Sequence, residues 1–241
     1  MQAIIVRFIA LVFIMQTLIL TGCSVRQPMP EISGPPAFDP TQFKSGEVYS
    51  IDPAQSYLHI YVYRSGPMAK LGHNHVISTN DIDGKIYRHA LIEKSGMVLR
   101  LPVTSFEVDN PKLRQAAGEQ FSSVPTAQDI AGTKHNMLSE RVLNAAEYPD
   151  IKITSVTVKG SGERYLTALR FEVAGHTRDL KVPATVTLEP DLILIDGNIP
   201  LRQSDLGLTP FSVMLGALSV ADEMQVRFHL TAVLDKAGNN T

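Results

Sequence analysis

The sequence predicts a mostly β protein: an eight-stranded antiparallel barrel with one helical insertion between strands 3 and 4. Three observations carry this. Apolar and polar residues alternate with period two through most of the chain beyond residue 45, which sends successive side chains to opposite faces of a strand. Turn-forming clusters, among them Ser95-Gly96, Gly160-Ser161-Gly162 and Glu189-Pro190-Asp191, separate the alternating runs. One stretch, from Asp109 to Pro149, abandons the alternation.

The first strand is expected at 56–64, where Leu58, Ile60 and Val62 alternate with Tyr57, His59, Tyr61 and Tyr63. The next is expected at 75–88, with Asp83-Gly84 read as a turn signal and Asp81 and Asp83 as residues that shape it. Met97, Leu99, Leu101 and Val103 mark a third at 97–103. Five more follow at 151–158, 166–174, 180–188, 192–201 and 224–234, the last carrying Val226, Phe228, Leu230 and Ala232 on one face. Successive strands joined by short turns make a meander, and eight strands close naturally into an up-and-down barrel. Within the insertion a helix is expected at Lys134–Asn144, where Met137, Leu138, Val142 and Leu143 share one face. Pro149 keeps it from running on. Pro111 to Phe121 reads as a shorter helix, with Pro111 suited to a first turn.

The N-terminal part has a different logic. Arg7 precedes an apolar run from Phe8 to Leu20, and Leu20-Thr21-Gly22-Cys23 follows; Cys23 is the only cysteine, so no intramolecular disulfide forms. The layout is that of a bacterial secretory signal over residues 1–22, and the apolar run is too short to span a bilayer, which takes about 20 residues. Leu-Thr-Gly-Cys resembles a lipobox, which implies lipidation of Cys23 and a stable membrane anchor. Ser24, rather than Asp, leans towards the outer membrane. The expected location is the bacterial cell envelope, lipid-anchored and facing the periplasm. Residues 23–45, with Pro28, Pro30, Pro35, Pro36 and Pro40, read as a Pro-rich tether. The barrel domain is expected over 46–235 and a tail over 236–241.

Composition excludes several classes. A net charge of −2 and a pI near 6.4 give no basic stripe for nucleic acid. There is no GxSxG, SxxK or GxGxxG motif, and the one cysteine is committed to lipid, so no enzyme is expected.

Four motifs in order resemble the YceI-like family. They are Ser50-Ile51-Asp52-Pro53 with Ser56-Tyr57-Leu58-His59-Ile60; Asn136-Met137-Leu138 through Tyr148-Pro149-Asp150-Ile151; Ala174-Gly175-His176-Thr177-Arg178 with Leu180 and Val182-Pro183; and Leu201 to Leu208 with Val220-Ala221-Asp222. The similarity runs from about Glu47 to Leu234. The resemblance implies a lipocalin-like barrel whose apolar interior holds a long isoprenoid chain, of the polyprenyl phosphate or quinone type, with no other cofactor.

The residues expected to line that interior are Leu58, Ile60, Val62, Ile153, Leu169, Phe171, Phe211, Val226 and Phe228. An eight-stranded barrel either fills with side chains or keeps one elongated ligand, and the sequence is compatible with both. His73 and His75, at i and i+2 on one face of an extended segment, suit a structural role in fixing their loop, a contact to a lipid head group or, more weakly, a metal with His135 or His176 as a third ligand. Arg202 is a further head-group candidate, although Arg202 with Asp205 and Arg178 with Asp179 also read as turn-stabilising pairs. Three readings stand: a membrane-anchored carrier of an isoprenoid-tailed lipid, a His-dependent metal or redox-associated envelope factor, and a ligand-free interaction or stress-response barrel.

Overall fold

β12 (Leu218–Leu234) is the seam at which the sheet closes. In the computed structural model, which describes residues 34–235, one edge of β12 pairs with β10 (Leu192–Arg202) from Leu192↔Val233 to Arg202↔Glu223. Its other edge is shared. β1 (Glu47–Ile51) takes the end of β12 and β2 (Tyr57–Ser65) takes the rest, so β1 and β2 lie in line as one interrupted stave. The same happens next door. β3 (His75–Thr79) pairs with β2, and β4 (Asp83–Arg88) pairs with β1. β5 (Gly96–Pro102) and the short β6 (Glu107–Val108) form the third stave. β7 (Asp150–Ser161), β8 (Arg164–Val173) and β9 (His176–Leu188) then lead antiparallel to β10. The result is a closed antiparallel barrel of eight staves, and the eight expected strands each fall on one of them.

Asp83-Gly84 lies inside β4, paired with Arg100 and Leu99; the break in that stave comes earlier, at Asn80–Ile82. The Asp81 amide there donates to the Thr79 hydroxyl at 3.1 Å.

Alternation sets which side chains enter the barrel. Leu99 and Leu101 of β5, Val173 of β8, Ile193 of β10 and Leu230 of β12 are buried in one cluster. Each side chain so buried contributes about 1.5–3 kcal/mol. Tyr57, His59, Tyr61 and Tyr63 point outward from β2.

The insertion lies between the third and fourth staves, as expected, but its helices sit differently. α1 (Pro111–Ala116) begins at Asn110, whose side chain accepts from the Lys112 and Leu113 amides. It is followed by a 3-10 turn at Glu119–Phe121, and the Phe121 ring covers Tyr61 and Tyr63 at 5.6 and 5.8 Å on the outer face of β2. α2 is Ala127–Leu138, not Lys134–Asn144. Its start is set by a capping box, Thr126 with Asp129, which satisfies two otherwise unpaired backbone donors. Ser139 adopts an extended conformation and ends it, and residues 139–148 continue as turns.

The described part of the Pro-rich segment is not a free tether. The Arg170 guanidinium donates to the Pro35 carbonyl, the Phe38 amide donates to the Ser155 carbonyl at 2.7 Å, and Phe38 and Phe43 close on Tyr87 at 5.1 and 5.3 Å. Residues 35–43 therefore strap the outside of the barrel from β8 across β7 and β5 to β4. Gly96 makes room for the strap, since a Cβ there would stand 2.2 Å from the Phe38 ring. The anticipated signal segment, Cys23, the first part of the tether and the tail 236–241 lie outside the described residues.

Candidate ligand cavity

Three cavities lie in line along the barrel and share lining residues at each junction. The first, about 250 Å³, sits at the end formed by the β4–β5 loop and is bordered by Arg88, His89 and Ser95. The second, about 210 Å³, occupies the middle; Gln203 is its single polar side chain. Met97, Leu169, Val182, Phe228 and Leu230 face both. The third, about 240 Å³, lies at the opposite end and shares Val62, Ile77, Met137, Val142 and Gln203 with the second. The arrangement is elongated and apolar through its middle, with polar groups at both ends.

Leu58, Ile60, Val62, Ile153, Leu169, Phe171, Val226 and Phe228 all face the middle cavity, and Phe211 faces the third. Phe228 stands at the junction of the first two, its ring lying across Gly197 of β10; a Cβ on Gly197 would be 2.1 Å from that ring. Met137, Val142 and Leu143 reach the cavity from the insertion, although the last two do so from a turn rather than from a helix.

His73 and His75 both line the third cavity, with Arg64 and Asn136. His75 Nδ1 lies 2.6 Å from Oδ2 of Asp109, a residue the sequence reading passed over. Burial pushes the Asp109 carboxyl up, but hydrogen bonds from His75, the Val76 amide and Arg114 outweigh it and hold the group below its ordinary value. A carboxylate only accepts, so Nδ1 carries the proton and Nε2 is the His75 nitrogen left for a ligand. His73 Nδ1 lies 3.3 Å from the Ser123 hydroxyl, and its ring is 6.3 Å from that of His75. His135 and His176 do not join them: among the described residues no group of three or more His, Cys, Asp or Glu is placed to hold a metal.

Arg202 is absent from all three linings. Leu201 and Gln203 face the middle cavity, so Arg202 between them is turned outward and is exposed, opposite Glu223. The expected ion pairs are likewise redrawn. Arg178 and Asp179 are neighbours in β9 and point to opposite faces, so Asp179 pairs instead with its cross-strand partner Arg170 at 2.8 Å. Arg178 donates to the Thr177 carbonyl. Ser204 is held by Asp222, whose carboxylate accepts from both its amide and its hydroxyl.

Sequence reasoning also passed over Arg64, Asn136 and Gln203 as site residues, three further polar members of the third cavity's lining. No alternation marks them: Arg64 lies where β2 runs past the barrel rim, and Asn136 on a helix and Gln203 at the start of a 3-10 turn are brought to the mouth only by the fold.

Two solved structures share the architecture. BcnA of Burkholderia cenocepacia matches with a TM-score of 0.56 at 17% identity, over 76% of this chain and 99% of its own. A polyisoprenoid binding domain from Saccharophagus degradans matches with a TM-score of 0.50 at 15% identity, over 78% of this chain and 98% of its own. At such identities the likeness establishes the fold. No curated protein matches the chain. The family model of the YceI-like domain matches residues 49–232, which spans the whole barrel from β1 to β12. This chain belongs to the YceI-like family.

Proposed function

We propose that this protein binds an isoprenoid-tailed lipid, of the polyprenyl phosphate or quinone type, along the axis of its barrel. The observation that carries the reading is the row of three cavities, which share lining residues at each junction and are apolar through the middle. The solved Saccharophagus degradans relative, described as a polyisoprenoid binding domain, supports the same ligand class. The polar head lies at the third cavity, where His73, His75, Arg64 and Asn136 gather. His75 offers Nε2 there, held in orientation by Asp109. Binding rather than catalysis is the activity, because the polar groups lie at the ends of the row of cavities and the interior between them is apolar.

The protein acts as a lipoprotein anchored through Cys23, on the periplasmic side of the bacterial outer membrane. The apolar run before Leu20-Thr21-Gly22-Cys23 supports this. Mass spectrometry of lipids extracted from the purified protein tests the ligand: an isoprenoid-tailed species is expected, and its absence from protein purified out of native membranes overturns the reading. Cys23→Ser tests the anchor separately. The variant is expected in the soluble envelope fraction or as an uncleaved precursor, and a Ser variant that still fractionates as a mature lipoprotein refutes it.

A further inference from the structure

At the third-cavity end, β2 and β12 run on past the rim set by Arg202↔Glu223 of β10 and β12. Ser65 pairs with Ser219 and Arg64 with Val220, and β11 (Ser212–Val213) adds a third short strand through Ser212↔Ser219 and Val213↔Leu218. These three strands make a flap. Its underside, with Phe211, Val213 and Leu218, forms one wall of the third cavity. Arg141 ties the flap to the insertion by donating to the Ser212 carbonyl and lying over the Phe211 ring at 4.3 Å.

The apex of the flap carries a second set of apolar residues, aimed away from the cavity. Leu215 is 108% exposed, Met214 62% and Leu71 69%. Leu71 comes from the β2–β3 loop, which is joined to the apex by the Met68 amide donating to the Ala217 carbonyl at 2.8 Å. Met214 and Leu215 both have left-handed backbones, at φ 53° and 56°. That conformation is unfavourable for residues with a Cβ and is left to glycine where only a turn is needed. Here it is imposed on two large apolar side chains and the result is to present them to the exterior.

The two segments that form the apex carry cations only, the nearby carboxylates Asp222, Glu223 and Asp129 lying at the rim and on the insertion behind them. Residues 64–74 and 207–221 contain Arg64 and Lys70 and no Asp or Glu. The opposite end of the barrel is mixed, with Glu93, Lys94, Glu163, Glu189 and Asp191 in its loops and Arg164 at the start of β8.

The geometry points to a membrane-docking tip: Leu215, Met214 and Leu71 enter the surface of an anionic bilayer, Lys70 meets its head groups, and the third cavity is brought to the lipid surface. Exposed apolar side chains flanked by a cation are what an interfacial contact requires, whereas a purely aqueous surface penalises them. This contact is additional to an anchor at Cys23 and independent of whether the cavity is loaded.

The chain contains no tryptophan, so one introduced tryptophan reports one position. Leu215→Trp and Glu163→Trp, each in the full chain, place a probe at the apex and at the β7–β8 turn of the opposite end. With vesicles of phosphatidylethanolamine and phosphatidylglycerol carrying brominated acyl chains, Leu215→Trp emission is expected to shift to the blue and lose intensity. Glu163→Trp is expected to do neither, although any N-terminal anchor holds both variants at the same membrane. Adding Lys70→Glu to Leu215→Trp is expected to weaken the quenching and remove its dependence on phosphatidylglycerol. Equal quenching at both positions, or none at Leu215→Trp, overturns the proposal. So does a blue shift without vesicles that grows with protein concentration, because the apex then pairs with a second copy of the chain.

Discussion

Arg114 donates to Oδ1 of Asp109 at 2.5 Å, and both side chains are shut away from solvent. Asp109 also accepts from the Val76 amide and faces His75, while Arg114 reaches the carbonyls of Asn74, Phe121 and Ser123. This pair therefore joins three things: the backbone of β3, the outer part of the insertion, and the histidine at the cavity mouth. Removing one member leaves the other as an uncompensated buried charge. Arg114→Ala is expected to destabilise the protein by about 3–5 kcal/mol, more than any single surface ion pair here. Urea unfolding checks it; a loss below about 1 kcal/mol shows that the insertion does not depend on this pair.

The same carboxylate sets a pH dependence. Its value in the folded state is depressed, so the stability it contributes is fully present above the unfolded carboxylate value of about 3.9 and is lost as pH falls through the folded one. Other carboxylates, such as Asp222 and Asp235, are depressed as well, so acid sensitivity alone identifies nothing. The informative quantity is the stability gap between the parent and Asp109→Asn. It is expected to narrow as pH falls below about 4. A gap that stays constant through acid shows that the Asp109 charge is not its source.

The strap gives a third expectation. Phe38 lies over Gly96 and against Tyr87, with its amide bonded to Ser155 at the bulge of β7. Gly96→Ala puts a methyl group where the Phe38 ring lies, and Phe38→Ala removes the ring. Both are expected to release residues 35–43 and to cost about 2 kcal/mol through lost aromatic contact and burial. Limited proteolysis reads the release directly: new cleavage before Glu47 is expected in both variants, with the barrel left whole. Unchanged digestion shows that the strap is held by something other than Phe38.

The staves were legible because a half-buried strand writes its burial into every second residue. Leu58, Ile60 and Val62, or Val226 and Phe228, face inward for that reason and no other. The helix was displaced because Met137 to Leu143 carries an apolar spacing that a turn satisfies as well as a helix does. The better signal, Thr126 with Asp129, lies in a polar stretch that also contains Gly132. The strap was illegible, since its two anchoring rings, Phe38 and Phe43, stand among prolines and acquire partners only once the barrel is closed. Arg202 failed on parity: its neighbours Leu201 and Gln203 take the inward positions. Asp109 had no local signal, because its partners His75 and Arg114 become a cluster only in three dimensions.

Filling the cavity separates a carrier from a packed core. Ile60 and Phe171 both face the middle cavity, and each can be enlarged without adding charge. If the row of cavities holds a lipid chain, Phe171→Trp occupies the space the chain needs, and Ile60→Phe does the same from the opposite wall. Lipid copurification is then expected to fall to background while the circular dichroism spectrum and the urea midpoint stay close to those of the parent. In a barrel already filled by side chains, the same enlargement has nowhere to go and costs about 1–3 kcal/mol through off-rotamer side chains and shifted backbone. Ile60→Asp serves as a burial control only, because a carboxylate there costs several kcal/mol in either case. Loss of stability in the enlarged variants, together with no lipid in the parent, ends the carrier reading.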